Sequence, residues 1–266
     1  MVGHSGHPGE LSTLMRIVVV GGTGLIGTKL VEVLREHNHD VVSASRATGV
    51  NSFTGEGLAD ALAGAEVVVD VSNSSYTDEG GAREFFEIST LNLLTFGAAA
   101  GVRHHVALSV VGTDRLAETE QGYFRAKFEQ EKLIRASRNA YSIVHATQFF
   151  EFVRTIADSA TQGNQVRVAR TLVQPMAADD VARMVARTAV GDPVNGIREF
   201  AGPDVFRLEE LVRRRLDAGP DDREVIVDPL ARYFGTRLRE DELLPKADAE
   251  LVSTRFVDWL LHRIPA

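Results

Sequence analysis

The sequence predicts an α/β protein: a doubly wound parallel sheet followed by a smaller mixed α/β lobe. Three observations carry this. Short apolar runs alternate with amphipathic ones as far as Thr147. The strand-like runs are apolar at nearly every position, as in strands covered on both faces. A cluster of four glycines closes the first such run and opens the first helical one.

"RIVVV" (Arg16 to Val20) reads as the first strand. From Leu25 to Glu36, Ile26, Leu30, Val33 and Leu34 recur at helical spacing. "DVVSAS" (Asp40 to Ser45) is a second strand, "GEGLADALAG" a helix, and "EVVVDV" (Glu66 to Val71) a third strand. "EFFEISTLNLLTFGAAAG" is a long helix that stops at Gly101. "HVALSV" (His105 to Val110), "YFRAKFEQEKLIRAS" and "YSIVHAT" (Tyr141 to Thr147) continue as strand, helix and strand. Strand–helix alternation with right-handed crossovers makes a Rossmann-type sheet. Beyond Thr147 the rhythm changes. "QVRVAR" reads as an exposed short strand, "DDVARMVARTAV" as a helix capped by Asp179 or Asp180, and "REFAG" as a last sheet strand. "EVIVDP" through "STRFVDWLL" completes a small lobe, and "RRR" (Arg213 to Arg215) reads as the solvated face of a helix. The expected division is therefore an extension over 1–14, a dinucleotide-binding core over 15–147, and a mixed substrate lobe over 148–266 with segments returning to the core.

The chain of 266 residues is 44% hydrophobic and carries a net charge of −8. That charge argues against a general affinity for nucleic acid or anionic membranes. Disulfide and thiol chemistry are excluded, since there are no cysteines. No apolar stretch approaches the roughly 20 residues that cross a bilayer. The first fourteen residues lack the basic start and apolar run of a secretory signal and read as a disordered extension, with Met15 as the expected natural start. A cytoplasmic monomer or homodimer acting on a small molecule fits these properties.

"GGTGLIG" lies where the first strand ends and the first helix begins. Gly21 allows a sharp turn, Gly24 allows close approach of a ligand, and Gly27 allows the helix to pack on the strand. Thr23, Leu25 and Ile26 share this turn. Exposed N–H groups and the helix dipole there favour a pyrophosphate. The end of the second strand should meet the adenosine ribose, where an NAD-selective site usually places an acid. Ser45 and Arg46 stand there instead. An arginine can pair with a 2′-phosphate, so the expected cofactor is NADP(H) in preference to NAD(H). Asn73, just after the third long strand, is a candidate to line the cofactor.

Ser109 ends the strand "HVALS", and Tyr123 and Lys127 lie one helical turn apart in "YFRAK". A tyrosine of reference pKa about 10 is a poor proton donor at neutral pH. A nearby ammonium favours its phenolate. A serine hydroxyl can then hold a substrate oxygen while the tyrosine protonates it.

With these motifs in place, the chain resembles the short-chain dehydrogenase/reductase superfamily, extended or atypical branch, and within it the NmrA-like NAD(P)H-binding proteins. "GGTGLIG", "NLLTFGAAAGVRHHVALSVVG", "YFRAK", "ATQFFEF" and "QPMAADDVARMVA" carry the resemblance, which spans Met15 to about Trp259. It implies an NADPH-dependent oxidoreductase reducing a small, largely apolar carbonyl or conjugated substrate. Ser109 would be the carbonyl-binding serine, Tyr123 the proton donor, and Lys127 the lysine that also holds the nicotinamide ribose. Phe149 and Phe150 would wall the substrate pocket. The chain departs from the pattern at Phe86, near where many active members have asparagine, and at His145, where arginine is frequent. The segment between the second and third long strands is also short, so a strand near "GVNSF" is expected to be vestigial or absent. A non-enzymatic NADP-binding redox sensor, and an epimerase or dehydratase with tightly held nucleotide, are the two rival readings. His104 and His105 read as a solvated turn before a strand. "SNSSYTDEGGARE" and "TDRLAETEQG" read as mobile loops over the substrate.

Overall fold

The computed structural model describes residues 14–74, 78–117 and 122–262. β1 (Arg16–Val20) is sealed on both faces: Ile17, Val18 and Val19 are fully buried. It runs into α1 (Leu25–Glu36), β2 (Asp40–Ala44), α2 (Leu58–Leu62), β3 (Val67–Asp70) and α3 (Glu79–Ala100). β4 (His104–Val110), α4 (Thr113–Ala117), α5 (Tyr123–Ala136) and β5 (Tyr141–Ala146) follow. The second half holds α6 (Val153–Ser159), β6 (Thr161–Gln162), β7 (Gln165–Val168), β8 (Leu172–Val173), α7 (Ala178–Val190) and β9 (Gly196–Ala201). It ends with β10 (Phe206–Arg207), α8 (Leu208–Asp217), β11 (Glu224–Val227), β12 (Glu250–Leu251) and α9 (Phe256–Leu261).

Seven strands form one sheet in the order β12-β9-β5-β4-β3-β1-β2, and each of these pairings is parallel. α1 and α7 cover one face and α3 and α5 the other. This is the expected Rossmann-type fold. Between β2 and β3 the described chain makes only turns and α2, so the strand considered near "GVNSF" is absent and β2 is an edge. The chain runs from β1 outward to β2, then returns to lay β3 on the other side of β1. That reversal opens a crevice at the carboxyl ends of β1 and β3, where such sheets bind ligands.

Several expectations change. β7 is the centre of a three-stranded sheet, β11-β7-β6, with Val166 and Val168 buried, so "QVRVAR" is not exposed. "REFAG" forms β9, but β12 lies outside it as the last strand. His104 and His105 are not a solvated turn: both lie in β4 and are buried, and His104 Nε2 is 2.8 Å from Ser142 Oγ. A central strand, packed on both faces, buries even a polar start.

Neither aspartate side chain caps α7. Its first amide, from Ala178, donates to Glu151 Oε2 at 3.0 Å, and Trp259 Nε1 donates to Glu151 Oε1 at 3.1 Å. One carboxylate thus joins "ATQFFEF", the head of α7 and α9. Asp179 instead pairs with Lys29 and Asp180 with Arg183. A second apolar core, including Phe150, Leu211, Phe256 and Trp259, fills the space between α6, α8 and α9. The extension over 1–13, residues 75–77 of the first expected loop and 118–121 of the second lie outside the described residues, and "TDRLA" of the second forms α4 rather than a loop. "DEGGARE" belongs to the start of α3, where Asp78 accepts a hydrogen bond from the Gly81 amide.

Candidate active site

Gly21 takes φ +80°, and a Cβ there would stand 2.8 Å from the Ser72 backbone. Only glycine fits such a turn comfortably. A Cβ on Gly27 would collide with the Gly21 carbonyl. Gly24 is different: the nearest atom to a Cβ there is the Gly21 carbonyl oxygen at 3.3 Å, and the residue lines the cleft. Among the described residues no side chain caps α1, so its first N–H groups are placed for an anion.

From this turn a cleft of about 1180 Å³ crosses the carboxyl ends of β1 to β5. Gly21, Thr23, Gly24, Leu25 and Ile26 line its phosphate end, while Gly27 lies behind them against Gly21. Ser45 and Arg46 line the β2 end, and Ser45 Oγ is buried without a hydrogen-bond partner among the described residues. Asn73, Ser109, Tyr123, Lys127 and Phe149 line the rest. Phe150 does not. It is fully buried, with ring centroids 5.2 Å from Phe256 and 5.5 Å from Trp259. Phe149 and Phe150 are consecutive and point to different sides of the chain; Phe152, Tyr233 and Phe234 supply the further aromatic wall.

Tyr123 and Lys127 share one face of α5, as their spacing requires. The Tyr123 hydroxyl donates to Asn73 Oδ1 at 2.8 Å. Lys127 is buried, and its ammonium donates to the Leu108 carbonyl at 2.8 Å and to Gln130 Oε1. Phe86 roofs it and also meets the Tyr123 ring edge-on at 5.9 Å. Burial lowers Lys127 to about 8, against the opposing pull of Asp70 and Glu131. Gln130 Nε2 continues the chain to Asp70 Oδ2 at 3.0 Å, and Asp70 Oδ1 accepts from the Ser72 hydroxyl at 2.6 Å.

Ser109 is committed elsewhere. Its hydroxyl donates to Glu131 Oε1 at 2.6 Å, so its proton is not aimed at a substrate oxygen. Ser109, His145 and Glu199 are register neighbours on β4, β5 and β9. His145 Nε2 lies 2.8 Å from Glu131 and its Nδ1 3.5 Å from Glu199. Burial would lower His145, but the two glutamates outweigh it and raise it above the ordinary histidine value. Burial would likewise raise Glu131, but hydrogen bonds from His145 and Ser109 and the Arg135 charge hold it low. His145, its pKa raised by two glutamates, stands where the resemblance expects arginine.

Several groups here escaped the sequence reading. Glu131 repeats the Tyr123–Lys127 face one turn later, so the periodicity held its signal. Gln148 stood inside "ATQFFEF" unremarked. Tyr233 and Phe234 come from an irregular segment without a readable pattern.

The glycine turn, the uncapped α1 and the crevice at the strand reversal define a dinucleotide-binding protein. A family model described as NAD(P)H-binding matches residues 21–193, and the chain belongs to that family. It is 26% identical over 223 residues to the photosystem II assembly factor Ycf39 of Synechocystis sp., covering 74% of this chain and 67% of the relative. Among solved structures, it superposes on the dTDP-glucose 4,6-dehydratase DesIV from Streptomyces venezuelae, bound to NAD and TYD, with TM-score 0.66 and 19% identity, covering 94% and 96% of the two chains. On the dTDP-4-dehydrorhamnose reductase of Bacillus anthracis, in complex with NADP, the TM-score is 0.64 at 14% identity, covering 94% of each. The fold is that of the extended short-chain dehydrogenases/reductases, and the NmrA-like resemblance stands. Among the described residues, no helix is long and apolar enough to cross a membrane.

Proposed function

We propose that the protein is an NADPH-dependent reductase of a small, largely apolar carbonyl or conjugated compound. The carrying observation is the Tyr123 hydroxyl in the same cleft as the glycine turn, beside buried Lys127. Gly21 to Gly27 would hold the pyrophosphate, Ser45 and Arg46 the phosphorylated adenosine ribose, and Lys127 the nicotinamide ribose. The bound reduced cofactor supplies hydride. Tyr123 gives the proton to the substrate oxygen. Asn73, now its acceptor, fixes the phenol at the cleft. Ser109 holds Glu131, and through it the pairing of α5 with β4, rather than the substrate. Phe149, Phe152, Tyr233 and Phe234 suit an apolar substrate. The site is proposed for the chain of one protomer, whether it acts as monomer or homodimer.

A second reading has its own support. The committed Ser109 proton and the inward-turned Lys127 fit a protein that binds NADP without turnover. Two relatives named photosystem II assembly factor are 26% and 23% identical to this chain, each over 74% of it. Incubation with NADPH and a panel of aldehydes, ketones, enones, quinones and imines separates the two. Loss of reduced cofactor with one of these classes supports the reductase. Tight NADPH binding with no consumption across the panel supports the binding protein. Nucleotide that copurifies in the oxidised form would instead favour an epimerase or dehydratase.

A further inference from the structure

We propose that the side chain of Gln148 reads the carboxamide of the bound nicotinamide. Gln148 is 6% exposed and lines the cleft. Neither its Nε2 nor its Oε1 has a hydrogen-bond partner among the described residues. Native proteins pair nearly all such buried groups. The backbone around it is fixed. The Thr147 hydroxyl donates to the Gln174 carbonyl at 2.7 Å, and the Met176 amide donates to the Gln148 carbonyl at 2.9 Å. The amide is therefore held ready and unsatisfied.

Strand order says which part of the ligand reaches it. The phosphate turn ends β1, and Ser45 and Arg46 lie on the β2 side. The other half of a dinucleotide must extend toward β3, β4 and β5. Gln148 lies two residues beyond the end of β5. The ligand end that arrives there carries a primary carboxamide, with one acceptor and one two-proton donor. A glutamine side chain offers the same pair of groups in reverse. Two N–H···O bonds satisfy both partners when the glutamine Nε2 faces the carboxamide oxygen and its Oε1 faces the carboxamide nitrogen, an orientation set by the hydrogen-bond partners themselves.

The inference rests on the cofactor placement of the proposed function and on no turnover, so it is tested by binding alone. Calorimetry would compare NADPH, its 3-acetylpyridine analogue, its nicotinic acid analogue, and 2′-phospho-ADP-ribose, which lacks the ring. The wild type should favour NADPH over the acetylpyridine form by about tenfold to a hundredfold, the range expected when a buried group loses its partner. Gln148→Met should flatten that preference while binding 2′-phospho-ADP-ribose as the wild type does. Gln148→Glu keeps an acceptor of equal length and should sharpen rejection of the nicotinic acid form. A preference that persists in Gln148→Met overturns the assignment. If Gln148→Met fails to fold, an unchanged response of Gln148→Glu to the nicotinic acid form overturns it equally. Wild-type protein that ignores even 2′-phospho-ADP-ribose would remove the cofactor placement itself, and this inference with it.

Discussion

The ammonium of Lys127 lies 4.5 Å from the centroid of the Phe86 ring. The ring covers one side of that ammonium. It leaves the charge to the Leu108 carbonyl, Gln130 and the π-face. Phe86 therefore helps to bury Lys127, and that burial lowers its pKa to about 8.

This has a measurable sign. Below about 8 the lysine is charged in both folded and unfolded chains, and the folded state carries the cost of burial. Between about 8 and 10.5 the folded state is neutral while the unfolded state keeps its proton, so stability rises with pH. Urea unfolding of wild type and Lys127→Met should therefore diverge across that window, with the wild type gaining on the order of 3 kcal/mol relative to the variant. A difference that stays flat with pH would show that Lys127 does not titrate as its surroundings require.

Gly24→Val and Gly27→Val should fail in different ways. At Gly24 the backbone has φ −81°, and the new side chain points toward the cleft. The protein should fold and lose NADPH affinity. At Gly27 the side chain would strike the Gly21 carbonyl and the Gly22 backbone. Stability itself should fall by about 1–3 kcal/mol, the scale of overpacking. Calorimetry alongside thermal unfolding separates the cases; unchanged NADPH affinity in folded Gly24→Val would remove the phosphate assignment.

Arg46 opens a single 3-10 turn and is solvent-exposed beside Ser45 at the β2 end of the cleft. A charge-assisted bond to a 2′-phosphate contributes about 1.5–3 kcal/mol. Arg46→Ala should lower the preference for NADPH over NADH about tenfold to a hundredfold and leave NADH binding as it was. Equal dissociation constants for the two cofactors in the wild type would count against the assignment.

Glu151 should be a structural latch. Glu151→Ala removes the acceptor for both the Ala178 amide and the Trp259 indole. A loss of about 1–3 kcal/mol is expected from orphaned donors of this kind. Trp259 is the one tryptophan in the sequence, so its emission should shift in the folded variant. Wild-type emission and stability together would show that α7 and α9 are held without it.

What was legible in the sequence follows from locality. A strand sealed on both faces writes a continuous apolar run, so β1 and β3 were plain from "RIVVV" and "EVVVDV". Tyr123 and Lys127 were legible because both sit on one helix, where spacing fixes the face. The contacts that the sequence did not show involve partners brought from afar. The helix cap of α7 comes from Glu151, not from Asp179 or Asp180 beside it. Ser109 is occupied by Glu131, 22 residues on, and His104 is buried against Ser142, 38 residues on. Phe234 reaches the cleft from a tight turn in which Phe234 and Gly235 take φ +46° and +84°. A phenylalanine does not advertise that conformation.

The chemical assignment is tested by setting Tyr123 against Ser109 on a substrate found in the panel. Tyr123→Phe removes one hydroxyl and its bond to Asn73, at a half-buried position, so folding and NADPH binding should survive. A positioned general acid contributes about 10²–10⁴-fold, and single-turnover reduction should slow on that scale. Ser109→Ala removes a proton that goes to Glu131, which keeps its bonds to His145 and Arg135. Its rate should fall by no more than about tenfold, the scale of one ordinary hydrogen bond. The order of the two effects is the result that matters. If Ser109→Ala is as damaging as Tyr123→Phe, with NADPH affinity intact, the serine must leave Glu131 and hold the substrate oxygen during turnover. If Tyr123→Phe keeps the wild-type rate, the proton comes from another group, and the place of Tyr123 in the cleft is that of a wall beside Phe86.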